Sequence, residues 1–377
     1  MTQKDSISPR QAVALAFVSV LSPLIRRFPR VLAATAGRTA WLAPLFAAVP
    51  LAAWLVLGFL LFRRRAAPTG YGEILEDTLG KIPGRAVMLL YAIWLLFYAG
   101  FLLRSGAWRF ISTVYPGAEP WIFIAVSALV CGIAALGSLR AVAQAAMIFR
   151  PLLIAVFAAV LLLTVKDIDF TELLPVTAAD LLPNGYAALE TVNMISVAAY
   201  PVFLGNRVTG RLRVRDLTPW GAALLILIGA MTAGSIGMFG PELTAKLSYP
   251  FFMLARDVTV LGSLERVEPV VIALWVFSDF ILVSLLLQIA GNNLQECFGY
   301  PVSKVSGKPT DFSAGRWLLP VCVALAAAAG LTVAPDEESF ALFSETVVPL
   351  LNAVFAFALP VPVLIIGLLR GKIRYTI

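Results

Sequence analysis

Residues 40–62 read AWLAPLFAAVPLAAWLVLGFLLF, 23 positions without a charge, closed by Arg63-Arg64-Arg65. At the 1.5 Å rise of an α-helix the run reaches about 35 Å, enough to cross a hydrocarbon core about 30 Å thick with some tilt. Similar apolar runs fill residues 86–103, 121–139, 151–165, 219–239, 317–334 and 346–369, each ended by charge, Gly or Pro. Three more are interrupted: 11–25 by Ser22-Pro23, 181–205 by Glu190 and Tyr200-Pro201, and 269–291 by Asp279. The pattern predicts an all-α polytopic membrane protein of ten transmembrane helices, forming a single transmembrane domain over residues 1–377.

Composition points the same way. Hydrophobic residues make up 60% of the 377 and charged ones 14%, where a soluble domain averages about 45–50% and about 25%. Histidine is absent, which excludes Ser-His-Asp and Cys-His catalysis, His-ligated zinc and His-based pH switching. No other nucleophile–base constellation stands out, so the chain reads as a non-enzyme that calls for no cofactor. Cys131, Cys297 and Cys322 lie far apart, without metal-ligand spacing. The polar stretch 1–10 is followed by no small-residue cleavage site, so no cleavable signal peptide is expected.

The net charge of +7 is read through topology rather than as a nucleic-acid footprint. With ten spans and the N-terminus inside, most Lys and Arg fall on the cytoplasmic side. Asp167, Asp169, Glu172 and Asp180 in one loop and Asp336-Glu337-Glu338 in another fall outside. The positive-inside rule therefore places both termini on the cytoplasmic side. Arg26, Arg27, Arg30 and Arg38 crowd the first outer loop against that rule. Two further segments have character of their own. Residues 71–82 put Ile74, Leu75, Leu79 and Ile82 on one helical face, a helix expected to lie along the inner membrane surface. Residues 241–268, mixed in polarity, are expected to fold as an outer cap.

Ten spans divide into two sets of five, about 1–166 and about 167–377, and an odd number per set gives the halves opposite orientations. The first helix of each set carries a Pro at a similar place, so helices one and six are expected to be broken there. Interrupted helices at matching positions of inverted halves mark a transporter's central site. Freed carbonyls coordinate an ammonium and half-helix N-termini favour a carboxylate; a free amino acid carries both. Leu21, Ser22, Ala199 and Tyr200 are the candidate contacts at the two breaks.

Two carboxylates lie inside spans. A charge at the bilayer centre costs at least about 2.5–3.5 kcal/mol, so Glu190 and Asp279 should each face a partner or a wet cavity. Each would pair with a ligand ammonium, carry a coupling proton, or bond a neighbouring helix as packing glue. Asp279 is expected near the first helix. Asn193 follows Glu190 on its helical face. Tyr98, in the stripe Tyr91, Trp94 and Tyr98, either closes over a small ligand or packs in the core. Ser278, Asp279 and Ser284 form a candidate site for sodium or proton coupling. Arg104 is read as snorkelling from the end of the third span.

Several spaced motifs resemble one family. Ser8-Pro9-Arg10-Gln11, Gly37-Arg38-Thr39-Ala40-Trp41-Leu42, Leu103-Arg104 and Ile168-Asp169-Phe170-Thr171-Glu172-Leu173-Leu174-Pro175 are similar to stretches of the B subunits of spore-germination nutrient receptors, the spore permeases. So are Gly240-Pro241-Glu242-Leu243-Thr244-Ala245, Tyr249-Pro250, Arg256, Leu264-Glu265-Arg266 and Trp275. At the sixth-helix break, where family members often read SFPFGE, this chain has Ala198-Ala199-Tyr200-Pro201-Val202-Phe203-Leu204. The resemblance implies a ten-helix fold of the amino acid–polyamine–organocation transporter type, with a 5+5 inverted repeat and broken helices 1 and 6. It implies a membrane subunit of the spore inner membrane that binds a small nutrient such as an amino acid. The implied partners are a receptor A subunit and a C-subunit lipoprotein. A proton- or sodium-coupled amino-acid permease is the alternative.

Overall fold

The computed structural model describes residues 6–62, 69–210, 213–256, 268–334 and 336–371. Among these the chain is helical, and its one extended pairing is an isolated parallel bridge between Ile7 and Val208. Helix α1 (Pro9–Ala36) opens on a capping box. The Gln11 amide donates to Ser8 Oγ at 3.3 Å, and the Ser8 amide donates to Gln11 Oε1 at 2.8 Å. The helix ends at Gly37, whose φ of 59° suits a residue without a Cβ.

The expected break at Ser22-Pro23 is not made, because α1 is helical from end to end. A proline costs one backbone bond, whereas unwinding further would strip more backbone groups in a medium without water. The helix carries Arg26, Arg27 and Arg30, which the sequence had placed in an outer loop. A 3-10 turn (Gly37–Leu42) then leads into α2 (Ala43–Phe62), the decisive apolar run shortened at its start.

Helix α3 (Tyr71–Leu79) buries Tyr71, Ile74, Leu75 and Thr78 and packs on α4 (Lys81–Thr113) and on the last helix of the chain. Ile82, assigned to the same apolar face, belongs to the first turn of α4 and is exposed. Helix α4 runs ten residues beyond the expected end of the third span. It packs against α5 (Pro120–Leu136), α10 (Glu268–Cys297) and α11 (Leu318–Thr332). Its Gly100 meets Gly330 so closely that an added Cβ would stand 2.6 Å from the Ala326 carbonyl oxygen and 2.8 Å from the Gly330 nitrogen.

Helix α6 (Leu139–Thr164) precedes α7 (Leu181–Ile195), which passes into twelve residues of 3-10 helix, Ser196–Arg207. Helix α8 (Val214–Lys246) is kinked at Gly240, with φ 74° and ψ 163°, and α9 (Pro250–Arg256) buries Phe251, Phe252, Leu254 and Ala255. Of the segment expected as a cap, the described part is thus two short helical pieces; residues 257–267 lie outside the described residues. The last span is segmented. Helices α12 (Glu337–Leu342), α13 (Val348–Ala353) and α14 (Pro360–Leu369) are joined by π-helical turns at Phe343–Val347 and Val354–Ala358.

Seven helical stretches among the described residues are long and apolar enough to cross a bilayer: Phe28–Leu60, Lys81–Thr113, Leu139–Asp167, Ala178–Arg207, Arg215–Lys246, Pro269–Cys297 and Glu338–Leu369. Three shorter apolar segments, the first part of α1 (Pro9–Leu21), Pro120–Leu136 and Leu318–Thr332, accompany them. Helix α1 sits among α6, α7, α8 and α10, while α4 anchors the other side against α10 and α11.

Candidate functional site

Among the described residues, the 3-10 stretch is the one place where a spanning element leaves α-helical geometry for about four turns. Pro201 cannot donate to a carbonyl one turn back, and tertiary contacts hold the altered backbone. Trp94 Nε1 of α4 donates to Tyr200 Oη at 2.8 Å, and Tyr200 Oη donates to Asn352 Oδ1 of α13 at 2.6 Å. Tyr91 Oη donates to the carbonyl of Phe355 at 2.6 Å, inside the second π turn. The backbone of Thr69 and Gly70 presses on the same stretch: a Cβ at Gly205 would overlap the Thr69 carbonyl oxygen. At its far end the Ile7 amide donates to the Arg207 carbonyl at 3.0 Å, and Arg207 Nη2 donates to Asn292 Oδ1 at 3.0 Å.

Around this junction the side chains are aromatic and closely fitted. Trp94 stacks on Tyr98 at 5.5 Å between ring centroids and on Phe355 at 5.6 Å. Tyr91 meets Phe203 edge-on at 4.9 Å. Tyr98, Tyr200 and Tyr91 are fully buried, so three polar hydroxyls are spent inside the bundle where each needs a partner. The structure thus brings Tyr98 and Tyr200 together through Trp94. Ala199 and Leu21 are buried as well. The Ser22 side chain lies outside what is described. Glu190 and Asn193 are half-buried, and the Asn193 carbonyl accepts a bond from Ser196 Oγ.

Asp279 belongs to a different group. It pairs with Arg109 of α4, and its helix α10 also packs on α1, the neighbour expected for it. The Arg109 guanidinium also stands 5.6 Å from the centroid of the Trp275 ring. Gly106, Arg109, Phe110, Thr113, Ile272, Trp275, Val276 and Asp279 line a recess of about 20 Å³, room for one water-sized group. None of these residues comes from α1 or the 3-10 stretch. Ser278 and Ser284 are fully buried; Ser284 Oγ bonds the Cys131 carbonyl at 3.3 Å, whereas Ser278 Oγ has no partner. Arg104 does not snorkel: it is 6% exposed, with its guanidinium 5.5 Å from the Trp108 ring centroid.

Sequence reasoning missed Arg109 and Asn352. Arg109 sat beyond the first charge, where the third span stops on hydropathy, although residues 107–114 hold no glycine or proline before Tyr115-Pro116-Gly117. That absence was the usable sign. Asn352 is a lone amide in an apolar run, and nothing in the sequence pairs it with Tyr200.

Three comparisons bear on identity. No curated protein is similar enough to count as a match. Among solved structures, a substrate-bound, outward-open Na+-coupled sialic acid symporter superposes with a TM-score of 0.64 over 94% of this chain and 82% of its own. At 13% identity that likeness speaks for the fold alone, that of a membrane transporter. Residues 6–310 match the permease family described as spore germination protein. The chain is a member of that spore germination protein family.

Proposed function

We propose that the protein is the membrane subunit of a spore nutrient-germinant receptor, binding a small nutrient, an amino acid by preference, and passing a conformational change to partners. The observation that carries this reading is the 3-10 stretch Ser196–Arg207, clamped by Trp94 and Asn352. A transporter-type bundle concentrates irregular backbone where it lines a ligand cavity. On this reading the bundle has ten spans in two inverted sets of five, about 1–166 and about 167–377, with both termini inside. Residues 241–268 form the outer cap. Ala199 and Tyr200 meet the ligand, with Leu21 of α1 as a further contact, and Tyr98 closes the site. Glu190 and Asn193 line its approach. The protein sits in the inner membrane of the spore, with a larger A subunit and a C-subunit lipoprotein as partners.

The test is equilibrium binding of a panel of radiolabelled amino acids to the purified chain in lipid nanodiscs. It runs alongside gradient-driven uptake into proteoliposomes. Saturable binding without uptake supports the receptor reading. Saturable, sodium- or proton-driven uptake supports the permease alternative, for which the partnerless Ser278 hydroxyl speaks. Neither binding nor uptake of any amino acid would overturn the ligand class.

A further inference from the structure

We infer that the recess between α4 and α10 is a second ligand subsite, one that takes the carboxylate end of a zwitterionic α-amino acid. It is distinct from the 3-10 stretch and does not require a ligand there. Two of its lining residues present donors with nothing to donate to: Arg109 Nη1 and Trp275 Nε1, on side chains 4% and 3% exposed. A buried donor left without an acceptor costs about 1–3 kcal/mol. Both orphans here are N–H groups, so the missing partner is an acceptor, and the recess has space for one acceptor atom.

Charge selects the class of solute. Arg109 and Asp279 together are neutral. A plain anion would leave a net negative charge in a poorly solvated place, and a plain cation a net positive one. A zwitterion leaves the balance unchanged. One carboxylate oxygen accepts from Arg109 Nη1 and Trp275 Nε1, and the ammonium stands in the mouth toward Asp279. Glycine at 106 keeps that mouth open, since a Cβ there would lie 3.7 Å from Asp279 Oδ2 and 3.8 Å from Arg109 Nη2, in contact but without overlap. The recess is also mechanically placed to be felt elsewhere. Trp275 packs on Phe252 of α9 at 4.9 Å and on Tyr249 at 6.0 Å.

The experiment uses the full chain in nanodiscs, labelled with 5-fluorotryptophan and observed by fluorine NMR. The Trp275 resonance is assigned as the one that Trp275→Phe removes. Glycine, sodium acetate and sodium chloride are titrated separately. The expected result is a saturable shift with glycine, at least about tenfold tighter than with acetate or chloride. Asp279→Asn, which removes the negative charge and keeps the shape, should reverse the order so that acetate outbinds glycine. Should that variant fail to fold, Gly106→Ala supplies the second arm: its added methyl should abolish the glycine shift without lowering the unfolding temperature. No saturable response to glycine would mean that the recess holds water only, and equal responses to all three solutes would overturn the selectivity argument. So would a Gly106→Ala chain that titrates like the parent. The readout is local to Trp275, so it stays decisive even if the 3-10 stretch binds nothing.

Discussion

Replacing Tyr200 by Phe deletes one oxygen and leaves the ring, so no cavity opens and the packing around Phe203 and Trp94 is kept. Two hydrogen bonds go with that oxygen: the one from Trp94 Nε1 at 2.8 Å and the one to Asn352 Oδ1 at 2.6 Å. Both partners are 3% exposed, so neither can turn to water. Polar pairs between membrane helices average about 0.6 kcal/mol and reach about 1.7. Two such bonds lost together should therefore cost about 1–3 kcal/mol. The assay is unfolding in mixed micelles followed by far-ultraviolet circular dichroism, for Tyr200→Phe, Asn352→Leu and the double variant. Because the two residues share one bond, the double variant should fall short of the sum by about 0.5–1.5 kcal/mol. A Tyr200→Phe chain within about 0.3 kcal/mol of the parent, or strict additivity, would refute the claim that this network holds the 3-10 stretch.

Other consequences follow from contacts of different kinds. Asp279→Leu strands the Arg109 charge in a buried place and should cost about 3–5 kcal/mol, whereas Arg109→Leu with Asp279→Leu should recover most of it; thermal unfolding monitored by size-exclusion chromatography decides, and equal losses would deny the pairing its weight. Gly100→Ala should destabilise by about 1–3 kcal/mol through overlap with the Ala326 carbonyl and Gly330. Gly185→Ala, with open space around its added carbon, should be neutral or slightly stabilising in the same assay. Asp169 and Asp336 accept bonds from Thr171 and Ser339 in the loops, which hold both carboxyls below the ordinary 3.8. Their stabilisation is complete above that value and is lost as pH falls through the lowered one. Acid unfolding curves of the parent and of Asp169→Asn with Asp336→Asn should accordingly differ at neutral pH and converge in strong acid.

What the sequence revealed depended on whether a feature was local. The run at residues 40–62 announces α2 because absence of charge is a property of each residue in turn. The amphipathic face of α3 was legible in Ile74 and Leu75 for the same reason. Tyr200-Pro201 marked a real departure from α-helix, since proline carries its own geometric constraint. The same rule overreached at Ser22-Pro23, where the surrounding helix absorbs the proline. The end of α4 was misplaced because hydropathy registers the charge on Arg104 but not its burial over Trp108, nor the carboxylate 170 positions away that neutralises Arg109 beyond it. Likewise Asn352 gains its meaning from Tyr200 and Trp94, and π turns leave no mark in composition. Pairings of that kind are facts about the folded chain, and only the two separate halves are written in the sequence.

The bridge between Ile7 and Val208 makes the start of the chain a tether. The Ile7 amide holds the Arg207 carbonyl, and the Thr209 amide in turn donates to the Ile7 carbonyl at 2.8 Å. The peptide just ahead of α1 is therefore fastened to the last residue of the 3-10 stretch, so load applied to one end is delivered to the other. A fusion or purification tag joined directly before Ile7 would tug on the same segment that Trp94 and Asn352 keep in register, while a handle placed beyond α14 pulls on neither. Ligand affinities measured on N-terminally tagged chains should accordingly shift when the tag is cleaved, and those measured on C-terminally tagged chains should not.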